Sequence, residues 1–126
     1  MPNAFRITST SAEPVEIPLS LASFQHEVGG YIEAAFTVPS PDGGNRYVTG
    51  YVNEEGLLMG LDICMMLKSG QPLAGPCIIT GLDYSTGETV PLSENEIRWV
   101  QNGCHKVISV IYEDRKPENI YQVVVA

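Results

Sequence analysis

The sequence predicts an α+β fold: a single compact domain on a mixed or mainly antiparallel sheet, with two β-hairpins and two or three short helices. Three observations predict it. Residues 31–38 and 46–53 are rich in aromatic and β-branched side chains and flank a run of turn formers, Pro39-Ser40-Pro41-Asp42-Gly43-Gly44-Asn45. Ser93 followed by Glu96 is a capping box opening a helix. The regular strand–helix alternation that a doubly wound parallel sheet requires is missing.

Taken in order, residues 1–18 read as an extended N-terminal segment, with a short edge strand around Phe5 to Thr8, and residues 19–126 as the domain. Ser20 caps a short helix with Leu21, Phe24 and Val28 at helical spacing, and Gly29-Gly30 ends it. In the first hairpin, alternation sends Ile32, Ala34, Phe36 and Val38 to the core, joined by Val48, Gly50 and Val52. Leu57, Leu58, Leu61, Cys64, Met65 and Leu67 form an apolar stripe that predicts a helix from about Asp62 to Lys68, stopped by Gly70 and Pro72. Cys77-Ile78-Ile79 is too short for a helix and reads as a buried strand. A helix over residues 94–101 follows, with Ile97 and Val100 inward. Residues 105–112 and 120–125 are the strands of the second hairpin.

The chain has 126 residues, 44% of them hydrophobic and 17% charged, enough apolar surface for one core. Its net charge of −8 is the wrong sign for tracking phosphates along a nucleic acid. No apolar run is long enough to span a membrane and the first ten residues lack a signal-peptide pattern, so a cytoplasmic protein is expected. The three cysteines, Cys64, Cys77 and Cys104, are widely spaced among apolar residues and read as reduced, buried thiols; His26 and His105 fall at no ligand spacing, so no metal and no cofactor are expected. No nucleophile, base and orienting group come together at a credible spacing, so no enzymatic activity is expected.

The second face of the first hairpin carries the most distinctive surface in the sequence. Tyr31, Glu33, Ala35 and Thr37 lie there beside Tyr47, Thr49, Tyr51 and Asn53, a surface of rings, hydroxyls and one carboxylate suited to stacking and hydrogen bonding. Glu54 extends it at the strand end; as a pair, Glu54-Glu55 fits a charged turn better than a metal or acid–base site. Arg46, Arg98 and Trp99 are the cations and indole that a nucleotide's phosphate and base would call for. Residues 47–97 hold seven acids against Lys68 alone, a patch that favours a basic protein partner. Strands with edges and an aromatic face to cover predict a homo-oligomer.

Three segments, Gly29-Gly30-Tyr31-Ile32-Glu33, Asn53-Glu54-Glu55-Gly56-Leu57-Leu58-Met59-Gly60-Leu61 and Leu73-Ala74-Gly75-Pro76-Cys77-Ile78-Ile79-Thr80-Gly81, resemble a small family of uncharacterised proteins carried by bacteriophages and other mobile elements. The likeness spans about residues 28–81. Asp62-Ile63-Cys64 replaces the Pro-x-Asn that usually follows the middle motif. The resemblance implies kinship of origin and fold, and no catalytic residue. Two functions are therefore expected as alternatives: a non-catalytic accessory protein that sequesters a small nucleotide-type immune signal, or an acidic inhibitor of a host defence protein of the anti-restriction or anti-CRISPR type. Neither involves direct contact with nucleic acid or membrane.

Overall fold

The apolar run around Ile78 organises the molecule. In the computed structural model, which describes residues 1–125, the chain forms β1 (Ala4–Ile7), β2 (Ala12–Val15), α1 (Leu21–Val28), β3 (Ile32–Pro39), β4 (Arg46–Asn53), β5 (Ile63–Leu67), β6 (Pro72–Ala74), β7 (Cys77–Asp83), β8 (Glu88–Val90), α2 (Glu94–Asn102), β9 (Cys104–Val110) and β10 (Glu118–Val123). Residues Cys77 to Gly81 of β7 are buried throughout, as expected of a strand covered on both faces. Around it a six-stranded sheet runs β2-β1-β7-β4-β3, with β8 pairing β7 beyond the end of β1. A second, four-stranded sheet runs β6-β5-β10-β9, and its β5–β10 pair is parallel.

The architecture is mostly β, with 44% strand and 14% helix, which overturns the expected α+β class. Antiparallel pairs β3–β4 and β9–β10 are present, but they are two pairings among eight spread over two sheets. The apolar stripe of residues 57–67 is not a helix. Residues 57–60 form turns, and β5 buries Cys64, Met65 and Leu67. A strand buried on both faces loses its alternation, so its residues mimic a broad helical stripe. The strand expected around Phe5 to Thr8 is not at an edge: β1 lies inside the sheet between β2 and β7 and puts Phe5 and Ile7 in the core.

The main core lies between the sheets. Phe5, Ile7, Phe36, Val48, Val52, Cys77 and Ile79 from the six-stranded sheet meet Met65, Leu67, Leu73 and Val123 from the other, and α2 adds Val100. On the opposite face of the six-stranded sheet, α1 packs Phe24 against Ala4, Ile17 and Ile78. Ser20 caps α1 by accepting from the Ser23 amide, and Gly29 ends it at φ +77°, where only glycine is free of strain. The Ser93–Glu96 capping box of α2 is complete in both directions.

Candidate functional site

A β-bulge decides what the first hairpin presents. The β3–β4 register slips between Ala34 and Phe36, so Ala35 and Phe36 both pack on the main core, and every β3 residue before them changes face. Ile32, expected in the main core, packs instead with Tyr51 under α1, and Ala34 pairs with Tyr51. Glu33, expected beside the tyrosines, pairs with Val52 and lies on the opposite face. Gly50 accommodates this arrangement: a Cβ there would collide with the Phe36 ring.

The expected tyrosine surface is thus divided. Tyr51 is partly covered because the Phe24 ring of α1 stacks on it, with centroids 5.2 Å apart and planes at 20°. Tyr47 lies toward the other end of β4, against Tyr84 at 4.8 Å. Tyr31 is 70% exposed at the turn between α1 and β3. Asn53 is buried: its Nδ2 donates to the Val28 carbonyl at the end of α1, and its Oδ1 accepts from the Glu55 amide at 2.8 Å. It is a structural junction. Arg46 is taken up by the buried Glu96, Arg98 is exposed on α2, and Trp99 packs on the main core, so no cation–indole pair faces the tyrosines.

Two clefts remain. The first, of about 400 Å³, is lined by Leu19, Leu21, Phe24, Ile32, Tyr51, Glu88 and Thr89, with the Tyr51 hydroxyl 3.5 Å from that of Thr89. It offers an apolar wall, the stacked Phe24–Tyr51 pair, two hydroxyls and one carboxylate. Arg6, on the same sheet face, is held by Glu27 in a two-pronged pair at 2.9 and 2.6 Å. The second cleft, of about 330 Å³, brings together Glu33, Asn53, Glu54, Leu58, Gln71 and Ala74 among its lining. All three motif segments read in the sequence converge there, and their glycines allow it. A Cβ on Gly30 would lie 2.8 Å from Asn53 Nδ2, and one on Gly56 2.6 Å from the Ala74 carbonyl oxygen. Of the nine residues expected to form one site, Tyr51 lines the first cleft, Glu33, Asn53 and Glu54 line the second, and Tyr31, Arg46, Tyr47, Arg98 and Trp99 line neither. Phe24, Glu88 and Thr89 were missed because they come from separate elements and share no spacing.

Burial pushes the Cys64 and Cys104 thiols up to about 11 and that of Cys77 higher still, so all three are protonated at neutral pH. Among the described residues, no group of three or more His, Cys, Asp or Glu side chains is placed to hold a metal ion. No helix among the described residues is long and apolar enough to cross a membrane.

The fold and these clefts define a two-sheet, mostly β domain whose surface concavities sit on either side of β4. The chain belongs to the family described as a domain of unknown function, DUF3846, which matches residues 3–105. No curated protein matches the chain, and no solved structure does. The family match is wider than residues 28–81, reaching from β1 through α2 to the start of β9.

Proposed function

We propose that the chain is a non-catalytic binding protein that sequesters a small nucleotide-type ligand, taking its base into the cleft beside Tyr51. The observation that supports this is the stacked Phe24–Tyr51 pair forming the wall of a concave, largely apolar cleft with hydroxyls at its rim. Aromatic faces accept any base, and each such stack contributes about 1–3 kcal/mol. Glu88 stands in the wall and Arg6 is committed to Glu27, so phosphates of the ligand point outward to solvent. The resemblance of the three motifs to proteins of bacteriophages and mobile elements supports a host-cell setting, in the cytoplasm, where the ligand is an immune signal. Calorimetry with nucleosides, cyclic nucleotides and ADP-ribose derivatives tests this. Heat with at least one of them, abolished by Tyr51→Ala, is expected; no heat with any of them overturns the reading.

A second reading, inhibition of a basic host protein, has its own observation. Leu57, Leu58 and Met59 project from the turns after β4, Leu58 with 89% of its surface exposed, beside Glu33, Glu54 and Glu55. An apolar knob with an acidic rim fits a basic partner that carries an apolar socket. Capture of one partner at fixed stoichiometry, weakened by salt and lost in Leu58→Glu, would support it.

A further inference from the structure

We infer that β9 is the contact strand of a homodimer, pairing antiparallel with β9 of a second copy so that the two four-stranded sheets join edge to edge. The four-stranded sheet ends on β9, which has no strand neighbour on its outer side among the described residues. An open edge is ordinarily blunted by charges, proline or a short strand. Here seven residues, Cys-His-Lys-Val-Ile-Ser-Val, run along it without proline or acid, with Lys106 as the one charged side chain and Val107 to Val110 free of charge. Both faces reach solvent: from His105 to Val110 every residue is exposed, Val107, Ile108 and Val110 by 44–46%, and Ile111 just beyond is 80% exposed. β10 is held on its other side by β5 and buries Val123, whereas β9 has a strand neighbour on one side, and a second copy supplies the other.

Charge selects a copy of this chain as the occupant. The net charge is −8, yet after Cys104 the acids Glu113, Asp114 and Glu118 are matched by Lys106, Arg115 and Lys116. The excess negative charge therefore lies entirely before β9. Two such bodies repel each other through most of their surfaces and meet without that penalty along the neutral ribbon. The strand is also self-complementary. A two-fold axis at Ser109 sets Ile108 opposite the partner's Val110, and, where pairing extends the strand by one residue, Val107 opposite the partner's Ile111, as apolar cross-strand pairs.

Sedimentation and light scattering of the full chain at micromolar concentration test this, with circular dichroism as the fold control. A mass of twice 13.7 kDa is expected. Ile108→Lys and Val110→Lys each raise the dissociation constant about tenfold or more, because like or unpaired charges replace two symmetric apolar pairs. The double variant Ile108→Lys/Val110→Glu recovers much of the loss by setting opposite charges across the axis. Hydrogen exchange of the unaltered chain should show the alternate amides between 106 and 110 that face away from β10 gaining protection with concentration, which holds even if a variant fails to fold. A mass of 13.7 kDa at every concentration overturns the inference. So does a dimer that is indifferent to both single variants, or one lost in Leu58→Glu while Ile108→Lys leaves it intact.

Discussion

Arg46 closes on Glu96 from fifty residues away, Nη2 donating to Oε1 at 2.6 Å and Nε to Oε2 at 3.2 Å. Ser40 Oγ and the Ser93 amide donate to the same carboxylate, so a side chain with no exposed surface has donors at both oxygens. The pair fastens the start of β4 to the first turn of α2, and the Arg46 guanidinium also reaches the Pro91 carbonyl. Removing one partner strands the other. Arg46→Ala should lower stability by about 3 kcal/mol or more, measured by denaturant unfolding, whereas an apolar replacement of both partners should cost less.

Acid should loosen the same junction. Burial pushes the Glu96 carboxyl up, but hydrogen bonds from Arg46, Ser40 and the Ser93 amide outweigh it and hold the group below its ordinary value of 4.5. A carboxyl depressed in the folded state contributes stability that is complete above its unfolded pKa and is lost as pH falls through the folded one. Asp42 acts with the same sign, lowered by hydrogen bonds from Ser93 and then Asn95. The melting temperature should therefore fall as pH drops below about 4.5, with a shallower slope in Glu96→Gln.

Gly30→Ala should destabilise by about 1–3 kcal/mol, because its methyl group would displace the Asn53 side chain that ties α1 to the end of β4. Thermal melts would show the loss. An unchanged melting point would mean that Asn53 moves at no cost.

Tyr51 and Tyr31 should behave differently in ligand binding although the sequence offers them as equals. Tyr51→Ala should cost about 1–3 kcal/mol of nucleotide affinity by calorimetry, and Tyr31→Ala, outside both clefts, close to nothing.

Thiol reagents should find the folded protein sluggish. With Cys64 and Cys104 raised to about 11 and Cys77 fully buried, alkylation near pH 8 should be slow, and all three should label promptly in denaturant. Rapid native labelling of Cys77 would contradict the burial described for β7.

Both helices were legible because their signals are local: Ser20 and Ser93 cap the residues next to them, and Gly29 requires a conformation that few other residues adopt. The class was not legible, because it turned on β5, where burial of the adjacent residues Cys64 and Met65 removes the alternation that marks a strand. The candidate site failed at one backbone feature. No residue type announces the bulge at Ala35, yet it exchanges Glu33 for Ile32 on the face under α1. Glu96 was read only as half of a capping box, and Arg46 only as a cation available to a ligand. Their pairing joins elements fifty positions apart, beyond the reach of any spacing rule.

The parallel pairing of β5 with β10 sets an order of assembly. Every strand of the six-stranded sheet precedes Pro91 in the chain, whereas the four-stranded sheet gains its inner strand only when β10 enters between β5 and β9, joining residues such as Met65 and Tyr121. During synthesis β10 is made after every strand of the six-stranded sheet, so the molecule matures from one wall toward a second that waits for β10 to be threaded into place. Pulse-labelled exchange on stalled nascent chains would resolve this as early protection of β4 and β7 and late protection of β5. Until that strand arrives, one side of the main core, around Met65 and Leu67, stays open to water, and in that interval the chain is most vulnerable to proteases and to its own neighbours.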